Sequence, residues 1–182
     1  MMQRNVTLFA GLFIGAIVIM ACQSSKENSK ENSDPAADTT WAILPFNKVD
    51  SVNPVLLPGG LTFNCPIAGQ GVKWEQKDVF NPAAVVRDGR VHLLFRAEDR
   101  IGKHAGTSRI GLAVSDDGLH FTKRDRPVLY PDNDSLKVYE WEGGIEDPRL
   151  VETENGTYVM TYTAYDGQTA RLLVATSEDL VT

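Results

Sequence analysis

The chain has 182 residues, 42% hydrophobic and 23% charged, a composition that suits a folded domain and excludes disorder as the account of the whole. Its 24 acidic and 18 basic side chains give a formal charge of −6, which excludes the basic face a nucleic-acid binder needs. Only Cys22 and Cys65 are cysteines, too few for a disulfide framework, and His92, His104 and His120 show no metal-ligand spacing.

The N-terminus reads as an export signal over residues 1–21: Arg4 supplies positive charge, and the run Leu8 to Met20 is apolar but short for a bilayer span. Ile19-Met20-Ala21-Cys22 resembles a bacterial lipobox, which implies cleavage before Cys22 and a lipid on its thiol. The body of the protein is then expected outside the cytoplasm, in the periplasm or at the cell surface, held to a membrane. An ordinary signal with an incidental cysteine is the plainer alternative. Residues 22–40 are rich in Ser, Lys, Glu, Asn and Asp and bury too little to offset ordering entropy, so they form a tether.

Residues 41–182 contain an internal repeat. The first copy runs through Asn81-Pro82, Asp88-Gly89, Phe95-Arg96-Ala97-Glu98-Asp99 and Arg109 to Asp117. The second runs through Asp147-Pro148, Asn155-Gly156, Tyr162-Thr163-Ala164-Tyr165-Asp166 and Arg171 to Asp179. Short β-rich runs bounded by turn residues predict antiparallel hairpins, with Asp88-Gly89 and Asn155-Gly156 at the positive-φ positions. Leu119 to Tyr130, interrupted by Pro127, supplies an outer strand to the first copy, and residues from Leu180 onward begin one for the second. Repeated four-stranded sheets are the blades of a β-propeller, so the fold class is all-β and residues 41–182 a partial propeller. A β-sandwich is the architectural alternative, but it leaves so regular a repeat unexplained.

The starts of the innermost strands converge on the propeller axis, and Asn81 and Asp147 occupy that place in the two copies. Only Asp can exchange a proton, so the repeat isolates Asp147 as the acid-base candidate. Both residues also suit a turn before proline. Glu140, Glu142, Glu146 and Asp147 crowd around Trp141 and Gly143-Gly144, which fits either an acidic surface run or a sugar-stacking loop whose carboxyls raise one another's pKa. Glycoside cleavage needs a protonated carboxyl at the leaving oxygen and a second group that supplies or replaces the nucleophile. In Arg96-Ala97-Glu98-Asp99-Arg100, alternation puts Arg96 and Glu98 on one face and Asp99 off it; the cluster suits a salt-bridge patch or contacts to sugar hydroxyls. Arg109 and Arg171 match across the repeat, which favours a structural role for at least one, and Cys65 beside Pro66 reads as a small core residue.

Phe80-Asn81-Pro82-Ala83, Phe95 to Asp99, Arg109 to Ser115, Gly144-Ile145-Glu146-Asp147-Pro148-Arg149 and Tyr162 to Asp166 together resemble glycoside hydrolase family 130, the five-bladed propeller mannoside phosphorylases and mannosidases. The resemblance spans roughly residues 78–182. It implies that Asp147 is the general acid, acting through a hydroxyl of the bound mannose, and that Asn81, Arg96, Asp99, Glu146 and Arg149 serve the mannose site. It further implies Arg171 as a candidate anion contact, an inverting reaction on a β-mannoside oligosaccharide, and no metal or organic cofactor, with inorganic phosphate as co-substrate of a phosphorylase. The export signal favours an exported β-mannosidase; a phosphorylase releasing mannose 1-phosphate and a non-catalytic mannoside-binding propeller are the alternatives.

Overall fold

The computed structural model describes residues 3–5 and 47–182. Cys22, the tether over 22–40 and the export signal other than residues 3–5 lie outside the described residues. One unit comprises residues 1–8 and 50–182; of the second, residues 9–49, only the exposed coil 47–49 is described.

Strands β4 (Asp78–Arg87), β5 (Arg90–Glu98) and β6 (Ser108–Ser115) form an antiparallel sheet with a short β7 (Thr122–Lys123) outside it. Asp88 (φ 50°) and Gly89 (φ 72°) close the first hairpin, both in the left-handed region that a tight two-residue turn demands. Beyond β7 the outer edge resumes only as an Ile110–Leu129 bridge, because the intervening Pro127 cannot donate to a ladder. The second blade repeats this with β8 (Gly144–Glu152), β9 (Tyr158–Tyr165) and β10 (Ala170–Ser177). Its first hairpin departs from expectation: residues 153–157 form the loop, Gly156 (φ 83°) takes positive φ and Asn155 does not, and the Thr153 hydroxyl accepts the Thr157 N–H at 3.0 Å. β1 (Gln3–Asn5) pairs along β10, from Gln3 against Thr176 to Asn5 against Val174. Residues 3–5, assigned from sequence to the export signal, thus hold the outer place of the second blade in the uncleaved chain, and cleavage before Cys22 would free that edge of β10.

Both faces of the first blade are covered, so consecutive residues are buried on opposite sides. Leu94, Ile110 and Leu112 pack with Leu129 against Ile145, Met160, Tyr162 and Leu173 of the second blade. Phe95, Ala97 and Ala113 face a hairpin of β2 (Thr62–Cys65) and β3 (Gln70–Lys73) through Phe63, Cys65, Val72 and Trp74. Cys65 is the small core residue expected. In the second blade β9 alternates fully: Tyr158, Met160, Tyr162 and Ala164 are buried, the residues between them half-buried. The repeat equivalents of Leu94, Ile110 and Leu112 are Thr161, Leu172 and Val174, and Leu172 is 70% exposed. The blades join at one parallel pair, Ser108 with Gly144. Gly144 has φ 115°, and a Cβ there would lie 2.3 Å from the Ser108 carbonyl oxygen, so only glycine permits the approach.

Candidate active site

The inner strands β4 and β8 carry the same irregularity. Ladder register shifts between Phe80 and Ala83 in one and between Glu146 and Arg149 in the other. Each bulge holds a non-glycine residue in the left-handed region before a proline: Asn81 at φ 47° and Asp147 at φ 50°. Asn and Asp are the side chains that best tolerate this conformation, and such strain costs on the order of 1–3 kcal/mol per residue. The bulges bring the two side chains together, so that Asn81 Nδ2 donates to Asp147 Oδ1 at 2.8 Å.

Arg96, opposite Phe80 in the β4–β5 ladder, is the centre of the cluster. Its Nη1 donates to Asp147 Oδ1 at 3.1 Å, its Nη2 to Glu98 Oε1 at 2.6 Å and Glu146 Oε1 at 2.9 Å, and its Nε to Ser108 Oγ at 3.0 Å. The guanidinium lies over the Phe80 ring, 4.7 Å from its centroid. Lys77 Nζ closes the far side of Glu98, donating to Oε2 at 2.6 Å. Three carboxylates therefore share two cations. Burial pushes the Glu146 carboxyl above the ordinary carboxylate value, aided by repulsion from Asp147 and Glu98 and opposed by Arg96. Burial also acts upward on Asp147, but hydrogen bonds from Asn81 and Arg96 and the charges of Arg96 and Arg149 prevail and hold it below its usual value. For Glu98 the upward push of burial is likewise outweighed, by Lys77 and Arg96.

Asn81, Arg96, Glu146 and Asp147 thus meet, with Arg149 exposed at the margin. Asp99 does not join them. Expected to line the sugar site, it is 1% exposed: Oδ1 accepts the N–H groups of Ile101, Gly102 and Thr107, and Oδ2 accepts Arg109 Nη1 at 2.7 Å. Alternation along β5 turns it away from Arg96, and it organises the 99–107 loop instead. Arg171 repeats this arrangement in the second blade. Its Nη1 donates to Asp166 Oδ2 at 2.6 Å, and Asp166, which also accepts the Gln168 and Thr169 N–H groups, is held down to about 2. Arg171 therefore anchors a hairpin ion pair through Nη1, and it is not among the groups that meet at Asp147.

The acidic run around Trp141 divides. Glu140 is fully buried and accepts the Tyr162 hydroxyl at 2.8 Å, Glu142 accepts the Lys103 N–H at 3.1 Å, and only Glu146 and Asp147 reach the cluster. Glu98 is offered by the sequence only as part of the Arg96–Arg100 cluster, and Ser108 and Lys77 are not offered at all. Alternation signals Glu98, and the ladder sets Ser108 directly opposite it; nothing in the sequence marks Lys77. Among the described residues no group of His, Cys, Asp and Glu is arranged to hold a metal ion.

A family model, Glyco_hydro_130, described as beta-1,4-mannooligosaccharide phosphorylase, matches residues 64–182. The chain belongs to the GH130 family. A 1,2-beta-oligomannan phosphorylase of Thermoanaerobacter sp. (strain X514) is 40% identical over 116 residues, 60% of this chain and 37% of that protein. A solved glycosyl hydrolase from Bacteroides ovatus matches with TM-score 0.74 and 46% identity over 78% of this chain and 41% of its own. A further solved structure, described by the statement that the GH130 family of mannoside phosphorylases contains glycoside hydrolases that target beta-1,2 mannosidic linkages in Candida mannan, matches with TM-score 0.74 and 46% identity, covering 79% and 41%. The chain spans about two fifths of the length of these relatives. As a GH130 chain it is an all-β propeller sequence, and its two blades carry the Asn81–Asp147 seam.

Proposed function

We propose that the protein is a β-mannoside phosphorylase in which Asp147 is the general acid. The observation that carries this is the convergence of Asp147, Asn81 and Arg96 at twin bulges of a GH130 chain. Phosphate attacks the anomeric carbon, the bond from that carbon to the leaving oxygen breaks with its electron pair on oxygen, and the oxygen takes the Asp147 proton through a hydroxyl of the bound mannose. The product is mannose 1-phosphate of inverted configuration. In the unliganded cluster Asp147 is ionised, so it takes up its proton in the complex, where a sugar that excludes water removes the solvation favouring the anion. Arg149, exposed and with no carboxylate paired to it among the described residues, supplies positive charge beside Asp147 for the incoming phosphate. The phosphorylase reading draws on the family description and the Thermoanaerobacter relative.

Hydrolysis is the second reading, favoured by the 46% identity to a structure described with β-1,2-directed hydrolases and by the export signal. Extracytoplasmic anchoring through Cys22 belongs to this proposal and rests on the Ile19–Cys22 sequence; palmitate labelling in a bacterial host should disappear in Cys22→Ser. The deciding experiment is product analysis on β-1,2-mannobiose with and without phosphate. Mannose 1-phosphate formed only with phosphate supports phosphorolysis, free mannose formed regardless of phosphate establishes a hydrolase, and binding without product leaves a mannoside-binding module.

A further inference from the structure

Arg96 alone does not account for the geometry around Asp147. The guanidinium is held from behind by a second layer, Glu98 and Ser108, and Glu98 is in turn held by Lys77 through both a side-chain bond at 2.6 Å and the Lys77 N–H to the Glu98 carbonyl at 2.9 Å. The Glu98 side chain is 10% exposed and Lys77 is 31% exposed, so this arm runs from solvent inward to the cluster. Its charges alternate: Lys77 positive, Glu98 negative, Arg96 positive, Asp147 negative.

We propose that Lys77 and Glu98 are positioning residues, an outer arm that orients Arg96 and sets the net charge that Asp147 faces. The proposal rests on Asp147 being the acid, since only then does this charge bear on turnover. Asp147 is faced by Asn81 from β4, by Arg96 from β5, and by Glu146 and Arg149 from β8; Glu98 of β5 meets the same Arg96 guanidinium through Nη2, Ser108 of β6 touches Arg96, Glu98 and Glu146, and Asp78 adds a negative charge 3.7 Å from Lys77. Within this set Glu98 opposes the effect of Arg96 on Asp147, and Lys77 offsets Glu98. Removing either end of the arm must therefore move Asp147 in opposite directions.

The test is a carbon-13 carboxyl titration of the chain, with the Asp147 resonance assigned by its disappearance in Asp147→Asn. Glu98→Gln keeps an oxygen to accept from Arg96 but removes a negative charge, and the Asp147 midpoint should fall by about half a pH unit. Lys77→Met removes the offsetting cation, and the midpoint should rise by a similar amount, while Lys77→Arg leaves it in place. Shifts of the same sign in the two charge-removing variants, or no shift in either, overturn the proposal. Should Glu98→Gln fail to fold, the contrast between Met and Arg at the more exposed position 77 decides alone: a rise in Met that Arg does not reproduce upholds the arm, and equal midpoints refute it. The titration does not depend on turnover, so a chain that titrates this way yet releases no sugar refutes the proposed function and leaves the arm standing.

Discussion

Arg96→Met keeps an unbranched apolar side chain beside Phe80 and removes the guanidinium that lies over that ring and on which Glu98, Glu146 and Asp147 converge. Deleting one member of a buried ion pair costs about 3–5 kcal/mol, because the partner stays behind unpaired. Side-chain exposures of 15% for Arg96, 10% for Glu98, 16% for Glu146 and 38% for Asp147 admit some solvent screening. The discounted expectation is a loss of roughly 2–3 kcal/mol at pH 7. The dependence on pH follows from the direction of each shift. Glu98 and Asp147 sit below their ordinary values in the fold, so their contribution is present above those values and is lost as pH falls through the folded ones. Glu146 sits above its ordinary value, so its contribution is full below that value and is lost as pH rises through the folded one. Without Arg96 all three carboxyls shift upward, and the folded variant relieves its repulsion by taking up protons. Its deficit should therefore be small near pH 4 and full by pH 7. Urea unfolding followed by fluorescence of the fully buried Trp74 measures this directly. A deficit that stays constant from about pH 4 to pH 7 would refute the reasoning, placing the loss in packing against Phe80 instead of in charge.

Asp147→Asn should lower kcat by about 10²- to 10⁴-fold while mannobiose affinity, measured calorimetrically, changes little, because the amide retains the bulge and an acceptor for Asn81; near-normal turnover would remove Asp147 from the acid role. Asp99→Ala should cost about 3–5 kcal/mol in thermal or urea unfolding, since it strands the 1%-exposed Arg109 without an anion and unties three N–H groups of the 99–107 loop. Gly144→Ala should cost roughly 2 kcal/mol or more and depress turnover as well, because the added Cβ meets the backbone of Ser108, whose hydroxyl serves Arg96, Glu98 and Glu146. Wild-type stability with undiminished turnover in that variant would show that the seam yields.

The blades were legible because a β-strand repeats every two residues and the copies agree in turns, hydrophobic positions and paired Asp–Arg and Ser–Asp residues. The Asn81–Asp147 partnership was legible from the same alignment. Three things were not. A nine-residue loop between β5 and β6 can direct Asp99 inward or outward, and saturation of its carboxylate by three backbone N–H groups is a property of the closed loop. The commitment of Arg171 to Asp166 looks in sequence like any pair of charges five residues apart. The pairing of residues 3–5 with β10 joins segments some 170 positions apart, and such a contact leaves no local pattern.

The two bulges bear on descent as well as on chemistry. Asn and Asp codons differ at a single base, and duplication of one blade yields two copies of the same left-handed pedestal facing each other across a seam. From two identical copies, one point mutation separates a pair of hydrogen-bonding amides from an acid with a built-in donor. An enzyme of this kind could therefore arise without inventing a pocket: copying supplied the geometry, and a small asymmetry between the copies supplied the proton.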